Sequence, residues 1–228
     1  MAKPEKTDVA TALDALFKAE RDLRKVSSQL LHAPHADLID RIARSIVDAR
    51  KQQSEEERAL RLVCLTRVLR SVPGPKAVEL LIDILNDDEE EARVAAGMML
   101  EDMSSDRMGD VQRGLKRAIE QLPSGSIALC EIPFVALGLE DGDVISMLKP
   151  LLTHQDPEAV SAAIEALVEL ADPAAIALLE PLRNDARKIR MDDESTGESE
   201  DITVGDLASD AIDALHEIDN FVRPPAAG

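Results

Sequence analysis

Two separate families of helical segments in this chain repeat at the same interval, and that periodicity restricts the fold more than any other feature. EARVAAGMMLEDM from Glu91, EAVSAAIEALVEL from Glu158 and DLASDAIDALHEI from Asp206 align without gaps. Ala96, Ala163 and Ala211 coincide, as do Leu100, Leu167 and Leu215, while Met103, Leu170 and Ile218 close the same apolar face. A small residue followed by Leu four positions on suits closely packed helices. Ahead of these, LLIDIL from Leu80, MLKPLL from Met147 and LLEPL from Leu178 form the second family, with Pro150 and Pro181 at one position. Leu81 to Leu148 is a shift of 67 residues, and so is Leu100 to Leu167. Equal shifts in two independent helices fit two repeats of about 33 to 34 residues, each a helical hairpin that buries its apolar face against its neighbours.

The middle repeat is expected at Val111 to Ile119 followed by Ile127 to Leu139, with Pro133 interrupting its second helix. Turn chemistry marks the boundaries. Asp156-Pro157 and Asp172-Pro173 each offer an Asp N-cap with Pro at the first helical position. Asp87 has the cap role before Glu89 to Glu91, and Ser54 with Glu57 reads as a capping box opening a helix from Glu55 to Ser71. Pro73-Gly74-Pro75 stops that helix. Two further helices, Asp8 to Leu31 and Ala36 to Lys51, are separated by His32-Ala33-Pro34 and are expected to cap the array.

These features resemble the HEAT-repeat family: paired antiparallel helices, a proline in the first helix, and an acidic turn before a second helix with Ala and Leu spacing. The resemblance covers about Glu55 to Asn220 and implies an all-α superhelix, a HEAT-like solenoid. Arg93 sits where many such repeats carry Arg, whereas the equivalent Val160 and Ala208 lack it. The expected organisation is a helical cap over residues 1–53, repeats over 54–221 and a disordered tail over 222–228.

The last repeat departs from the spacing. Its first helix follows the previous one by 31 residues but its second by 48, which places a 17-residue insertion between Ala186 and Asp206. The flanks Lys188 to Met191 and Asp201 to Val204 are suited to a short β-hairpin. Its tip region carries Asp192, Asp193, Glu194, Glu198, Glu200 and Asp201, a solvated loop or a secondary binding loop. Asp192, Glu194, Thr196 and Gly197 have EF-hand-like offsets, but Thr203 stands where a bidentate Glu is needed, which argues against calcium.

Catalytic and cofactor chemistry find little support. His32, His35, His154 and His216 lie in no catalytic or zinc-ligand context, and no phosphate-binding loop is present. No cofactor is expected. Some HEAT-like proteins are DNA glycosylases or bilin lyases, so the resemblance leaves open an enzyme or chromophore-lyase-like accessory protein. That alternative would use a pocket in the middle repeat near Cys130, Glu131 and Pro133. A net charge of −19 repels phosphate and argues against nucleic acid and anionic membranes, and the absence of Trp and Tyr removes the usual base-stacking side chains. Cys64 and Cys130 are far apart and read as free thiols of a reducing compartment, and the charged N-terminus reads as no secretory signal, so the expected location is cytoplasmic.

The repeat alignment also exposes an acidic ladder. Glu91, Glu158 and Asp206 precede the core alanines, Met98, Glu165 and Asp213 follow seven residues on, and Asp102, Glu169 and Glu217 eleven on. Offsets of seven and eleven return to nearly one helix face. In the middle repeat Ala128, Val135 and Leu139 would take those places. Acids near a helix N-terminus are favoured by the dipole, but Asp102, Glu169 and Glu217 lie near C-termini, where it opposes them. The ladder is therefore either a solvated face or a partner-binding surface. The resemblance puts second helices on the concave side, which implies a non-catalytic scaffold or adaptor holding a basic segment of another protein. Charge is also split along the chain, +4 over residues 1–76 and −23 over the rest, so self-association is a further expectation.

Overall fold

The computed structural model describes residues 8–139, 143–192 and 199–222. It contains helices α1 (Val9–Leu30), α2 (His35–Arg50), α3 (Glu55–Ser71), α4 (Pro75–Leu85), α5 (Glu90–Gln121), α6 (Ala128–Leu137), α7 (Val144–Leu148), α8 (Pro157–Leu170), α9 (Ile176–Leu179) and α10 (Val204–Val222), with strands β1 (Lys188–Asp192) and β2 (Ser199–Thr203) before the last. Side-chain caps start many of them. Ser54 accepts from Glu57 N at 3.3 Å, Asp156 from Glu158 N at 3.1 Å and Asp172 from Ala174 N at 2.9 Å. Asp87 accepts from Glu89 N at 3.2 Å, just outside α5. Between α3 and α4 the chain reverses at Gly74, whose φ of +90° is open to glycine, and Pro75 then starts α4.

The helices stack in two layers. Second helices α3, the first half of α5, α6, α8 and α10 pack in that order, each against the next. The other layer holds α2, α4, the second half of α5, α7 with the 3₁₀ turn Leu151–Thr153, and α9 with its flanking 3₁₀ turns. Gly114 lets the second half of α5 lie close on α4, since a Cβ there would fall 2.5 Å from a Val78 methyl. One apolar core of Leu, Ile, Val, Ala and Met runs from Leu38 to Leu215. Of the two helices expected to cap the array, α2 buries Leu38, Ile39, Ile42, Ile46 and Ala49, whereas α1 buries nothing. Of the expected tail 222–228, Val222 instead ends α10, and 223–228 lie outside the described residues.

The middle repeat follows the expectation in its first helix and departs from it in its second. Val111 to Ile119 lies in the second of the two helices that make up α5, which meet at a kink where Arg107 has a non-helical φ of −137° and ψ of 32°. The kink is held from outside: the Arg107 guanidinium donates to Val72 O at 2.8 Å and Gly74 O at 2.7 Å, the carbonyls of the α3–α4 turn. Pro133 does not interrupt α6. Its ring is buried inside the helix, and only the bond that a residue 133 N–H would give to Leu129 O is lost.

The insertion in the last repeat is an antiparallel hairpin with Ile189 opposite Ile202 and Arg190 opposite Asp201. Ile189 is buried against the array, and Val204, expected at the end of the second strand, begins α10 instead. Gly205 N donates to Asp185 O at 2.9 Å, and a Cβ on Gly205 would come within 2.7 Å of Arg183 O, so the base of the hairpin closes only around glycine.

Replacing Arg107 with Ala leaves two turn carbonyls without their donors in a half-buried setting. Loss of about 1–3 kcal/mol of stability is expected in denaturant unfolding, while Arg113→Ala, at an exposed i,i+3 pair with Asp110, changes stability by less than about 0.5 kcal/mol. Equal effects of the two substitutions would show that Arg107 does not hold the kink.

Candidate functional site

The residues nominated by the acidic ladder fall into distinct environments. Asp102 is already engaged: with Asp106, whose contact is 3.4 Å, it pairs with Arg70 on α3 across the repeat boundary. Asp206 is engaged as well, accepting from Thr203 N at 3.1 Å and from the Thr203 hydroxyl at 2.6 Å, while Thr203 Oγ1 accepts from Asp206 N at 3.0 Å. This reciprocal capping box starts α10, and the Thr203 hydrogen bonds lower the Asp206 pKa. Glu91 and Glu158 are exposed in the first turns of α5 and α8. On α10, Asp213 faces the Arg183 side, where its charge adds to the Glu180 hydrogen bond in raising the arginine's pKa. Glu217 is exposed one turn further on.

Glu165 and Glu169 meet in a groove between α8 and α10 of about 410 Å³. Ile164 and Val168 line it from α8, and Leu207, Ala211 and Ala214 from α10, with Asp210 as the acid on the α10 rim. Pairs spaced i,i+4 produce this arrangement. Ile164 with Val168 gives α8 one apolar edge, and Glu165 with Glu169 sets a row of acids beside it. Ala211 and Ala214 on α10 are too small to fill the space opposite. Ser161 Oγ donates to Glu165 at 3.1 Å, and Glu217, seven residues beyond Asp210, continues that acid row past the cavity. Leu207 and Asp210 were not nominated by the sequence, because the repeat alignment followed positions 206, 213 and 217 and so ran along a neighbouring stripe of α10. Neither α8 nor α10 contains a Lys or Arg.

Burial also corrects the ladder in the middle repeat. Ala92, Ala96, Leu100 and Met103 on α5 are buried with spacings of four, four and three, and Ala128, Ile132, Ala136 and Leu139 repeat that pattern. Ala128, Val135 and Leu139 are thus core residues, and the surface stripe passes one residue earlier through Ile127, Phe134 and Gly138. Phe134 stands where Met98 stands on α5, and the two are 38% and 58% exposed. Gly138 takes the Asp102 place, where the Glu101 side chain covers it, and burial raises the Glu101 pKa. With Leu60 and Val94 also exposed, the face of the second helices carries apolar side chains on α3, α5 and α6, flanked on α5 by the exposed Glu91 and Asp102, and acids on α8 and α10.

The middle-repeat residues nominated for a catalytic pocket are tied up differently. Pro133 is buried, and Glu131 pairs with Arg93 at 3.0 Å. Burial, reinforced by the charges of Asp156, Glu158, Glu131 and Glu165, pushes the Cys130 thiol up to about 11. His32 Nδ1 lies 2.6 Å from Ser28 O, and His154 Nδ1 accepts from Asp156 N at 3.1 Å. Among the described residues no group of three or more His, Cys, Asp and Glu is placed to hold a metal ion, and no helix is long and apolar enough to cross a membrane. In the secondary loop Asp201 is exposed with Lys188 at 3.6 Å. Asp192 and Glu200 lie on the strands, their side chains outside the described residues, as are Asp193, Glu194 and Glu198 altogether.

Residues 128–192, from α6 to the first strand of the hairpin, match the family model for HEAT repeats. Over those residues the chain is similar to HEAT repeats, and the array as a whole is HEAT-like in fold. Repeats of this kind generally serve as scaffolds for protein interaction. No curated protein matches the chain. Among solved structures, the crystal structure of an engineered protein aligns with 94% of this chain and 94% of its own at 18% identity, with a TM-score of 0.36.

A neutral Cys130 in this HEAT-like array has a direct consequence. At pH 8 a thiol with a pKa of about 11 is roughly one part in a thousand thiolate. Alkylation followed by mass spectrometry should modify the exposed Cys64 first and leave Cys130 intact. Equal labelling rates at that pH would contradict the half-buried, carboxylate-surrounded setting.

Proposed function

We propose that this protein is a non-catalytic scaffold whose α8–α10 groove holds a helical or extended segment of another protein, apolar on one side and carrying Lys or Arg. The observation that carries this reading is the composition of the groove: an apolar floor of Ile164, Val168, Leu207 and Ala211 rimmed by Glu165, Glu169 and Asp210, on two helices without a Lys or Arg. Carboxylates held together with no counter-charge repel one another, and a cationic ligand relieves that repulsion while its apolar side covers the floor. The exposed Leu60, Val94, Met98 and Phe134 extend the surface toward the N-terminal repeats with apolar contacts. Glu91, Asp102, Glu158, Asp206, Asp213 and Glu217 then contribute a field around the groove more than direct contacts, with Asp102 and Asp206 committed to Arg70 and to the α10 cap.

A peptide with Leu at i, i+3, i+4 and i+7 and Lys on the flanks serves as the probe, titrated by calorimetry. The combined Glu165→Lys, Glu169→Lys and Asp210→Lys variant should bind at least about tenfold more weakly, a loss of about 1.4 kcal/mol. Rising salt should weaken the wild type more steeply than the variant. A matched peptide with Glu in place of Lys should not bind. Undiminished binding by the triple variant, with its helical circular dichroism unchanged, would exclude the groove as the binding surface.

A further inference from the structure

Helix α1 stands apart from everything above. It is 22 residues long and buries no residue in the array, yet it carries an apolar seam along its whole length. Val9, Ala12, Leu16, Ala19, Leu23, Val26 and Leu30 follow a strict three-four spacing over three heptads. The large members are open to solvent, Val9 at 71%, Leu16 at 61% and Val26 at 51%, and Leu13 and Leu31 widen the exposed face, with Phe17 exposed beyond them on the Arg21 side. Asp14, Lys18, Arg21 and Lys25 occupy the opposite side. A seam of this length is a strip roughly 33 Å by 10 Å, as large as the biggest apolar patches on monomeric proteins. An isolated helix of this length is marginal in water, so its stability depends on a cover for that strip.

We propose that α1 is a dimerisation helix, pairing antiparallel with α1 of a second copy of this chain. Three observations select that occupant. The first is shape. An antiparallel register sets Leu16 of one copy against Ala19 of the other, Leu23 against Ala12, and Val9 against Val26, so large and small residues meet in the four inner layers and Val meets Val at the ends. Parallel pairing would instead stack Ala12 on Ala12 and Ala19 on Ala19 and leave gaps at both levels. The second is charge. From Asp8 to Leu31 four acids balance four bases, so α1 is neutral and gains little from the acidic groove. Its N-terminal half, with Asp8 and Asp14 against Lys18, is the more acidic. Its C-terminal half, with Arg21, Arg24 and Lys25 against Glu20 and Asp22, is the more basic, and antiparallel pairing sets one against the other. The third is the burden of the arrays. Residues 77–228 carry −23, and antiparallel helices hold two such arrays at opposite ends, roughly 30 Å apart and beyond about three screening lengths in physiological salt. The two strips together come to about 660 Å², below the roughly 1,200 Å² of standard stable interfaces and in the range of weak, transient contacts, so the dimer dissociates in the micromolar range or above. The inference does not depend on what the α8–α10 groove binds.

Sedimentation equilibrium from about 1 to 100 µM tests it. Wild-type protein should pass from monomer to dimer across that range, and Leu16→Asp and Leu23→Asp should remain monomeric with the thermal unfolding of the array unchanged. Orientation is read by a short thiol cross-linker in a Cys64→Ser background. Ala12→Cys mixed with Leu23→Cys should yield a linked dimer, and Ala12→Cys alone should not, because antiparallel pairing sets its two copies about 16 Å apart along the axis. Wild type that is monomeric throughout, or a dimer that survives both Asp substitutions, overturns the proposal. Efficient self-linking of Ala12→Cys overturns the antiparallel arrangement.

Discussion

A row of charge-assisted contacts joins each inter-helix turn of this array to the next, and the order of the stack depends on it. Arg50 reaches Asp87 at 2.6 Å, Arg58 reaches Glu89 at 2.7 Å and Arg93 reaches Glu131 at 3.0 Å, each crossing one repeat boundary. Asn86 Oδ1 accepts from Ala128 N at 3.0 Å and Asp156 from Gly125 N at 2.6 Å. The apolar layers between helices attract without direction, and a stack of similar Ala and Leu faces would tolerate sliding by a turn. Asp87 and Asp156 are only 8% and 6% exposed, so any register that removed their partners would leave a carboxylate buried and uncompensated. The contacts thus penalise wrong registers more than they strengthen the right one. Where Val160 and Ala208 replace the arginine of Arg93, other residues take over: Asp156 binds the preceding turn, and Arg187 donates to His154 O and to Asp185.

The same ladder decides where unpaired charge is left. In the N-terminal repeats Asp83, Asp87, Glu89, Asp102, Asp106 and Glu131 all meet an arginine. Between Lys149 and Arg183 there is no Lys or Arg at all, and α10 has none. Among the described residues Glu165, Glu169 and Asp210 therefore form no ion pair, for reasons of composition, and Asp213 alone faces an arginine, Arg183, while chemically identical acids on α5 are consumed in holding repeats together. A stripe that looks uniform in an alignment divides into structural carboxylates at one end and free ones at the other.

How much of this could be read from the chain follows from the physics of each feature. Helices such as Glu55–Ser71 were legible to the residue, because Ser54 and Pro73 terminate them locally. The hairpin was legible from a break in the repeat spacing and from β-branched flanks. The direct junction of the two helices of α5 at Arg107 was not, because that kink is stabilised by carbonyls some 35 residues earlier, a contact with no local signature. The middle-repeat register was misread by one residue, since Ile127-Ala128-Leu129 and Val135-Ala136-Leu137 are apolar throughout and offer no polar position to fix the phase. Of the groove, Glu165 and Glu169 were found, while Asp210 required knowing which side of α10 turns toward α8. Asp206 looked like a ladder acid, and the Thr203-x-x-Asp206 box that occupies it was visible in the sequence but masked by the repeat alignment.

Separation of stability from recognition is the last consequence of this architecture. Ile164, Ala163 and Leu167 of α8 face the core, and the adjacent Glu165 and Glu169 face outward, so one turn of helix serves both layers. Because every repeat is held by its neighbours through the core and the turn contacts, no exposed residue of the groove is needed to keep α8 against α10. The acids there bear a small cost from mutual repulsion, spread over an exposed surface where solvent screens it. Three acids around one apolar floor, with no Lys or Arg on either helix, are therefore the feature on which the proposed binding role rests, since the core and the turn contacts already hold the repeats together.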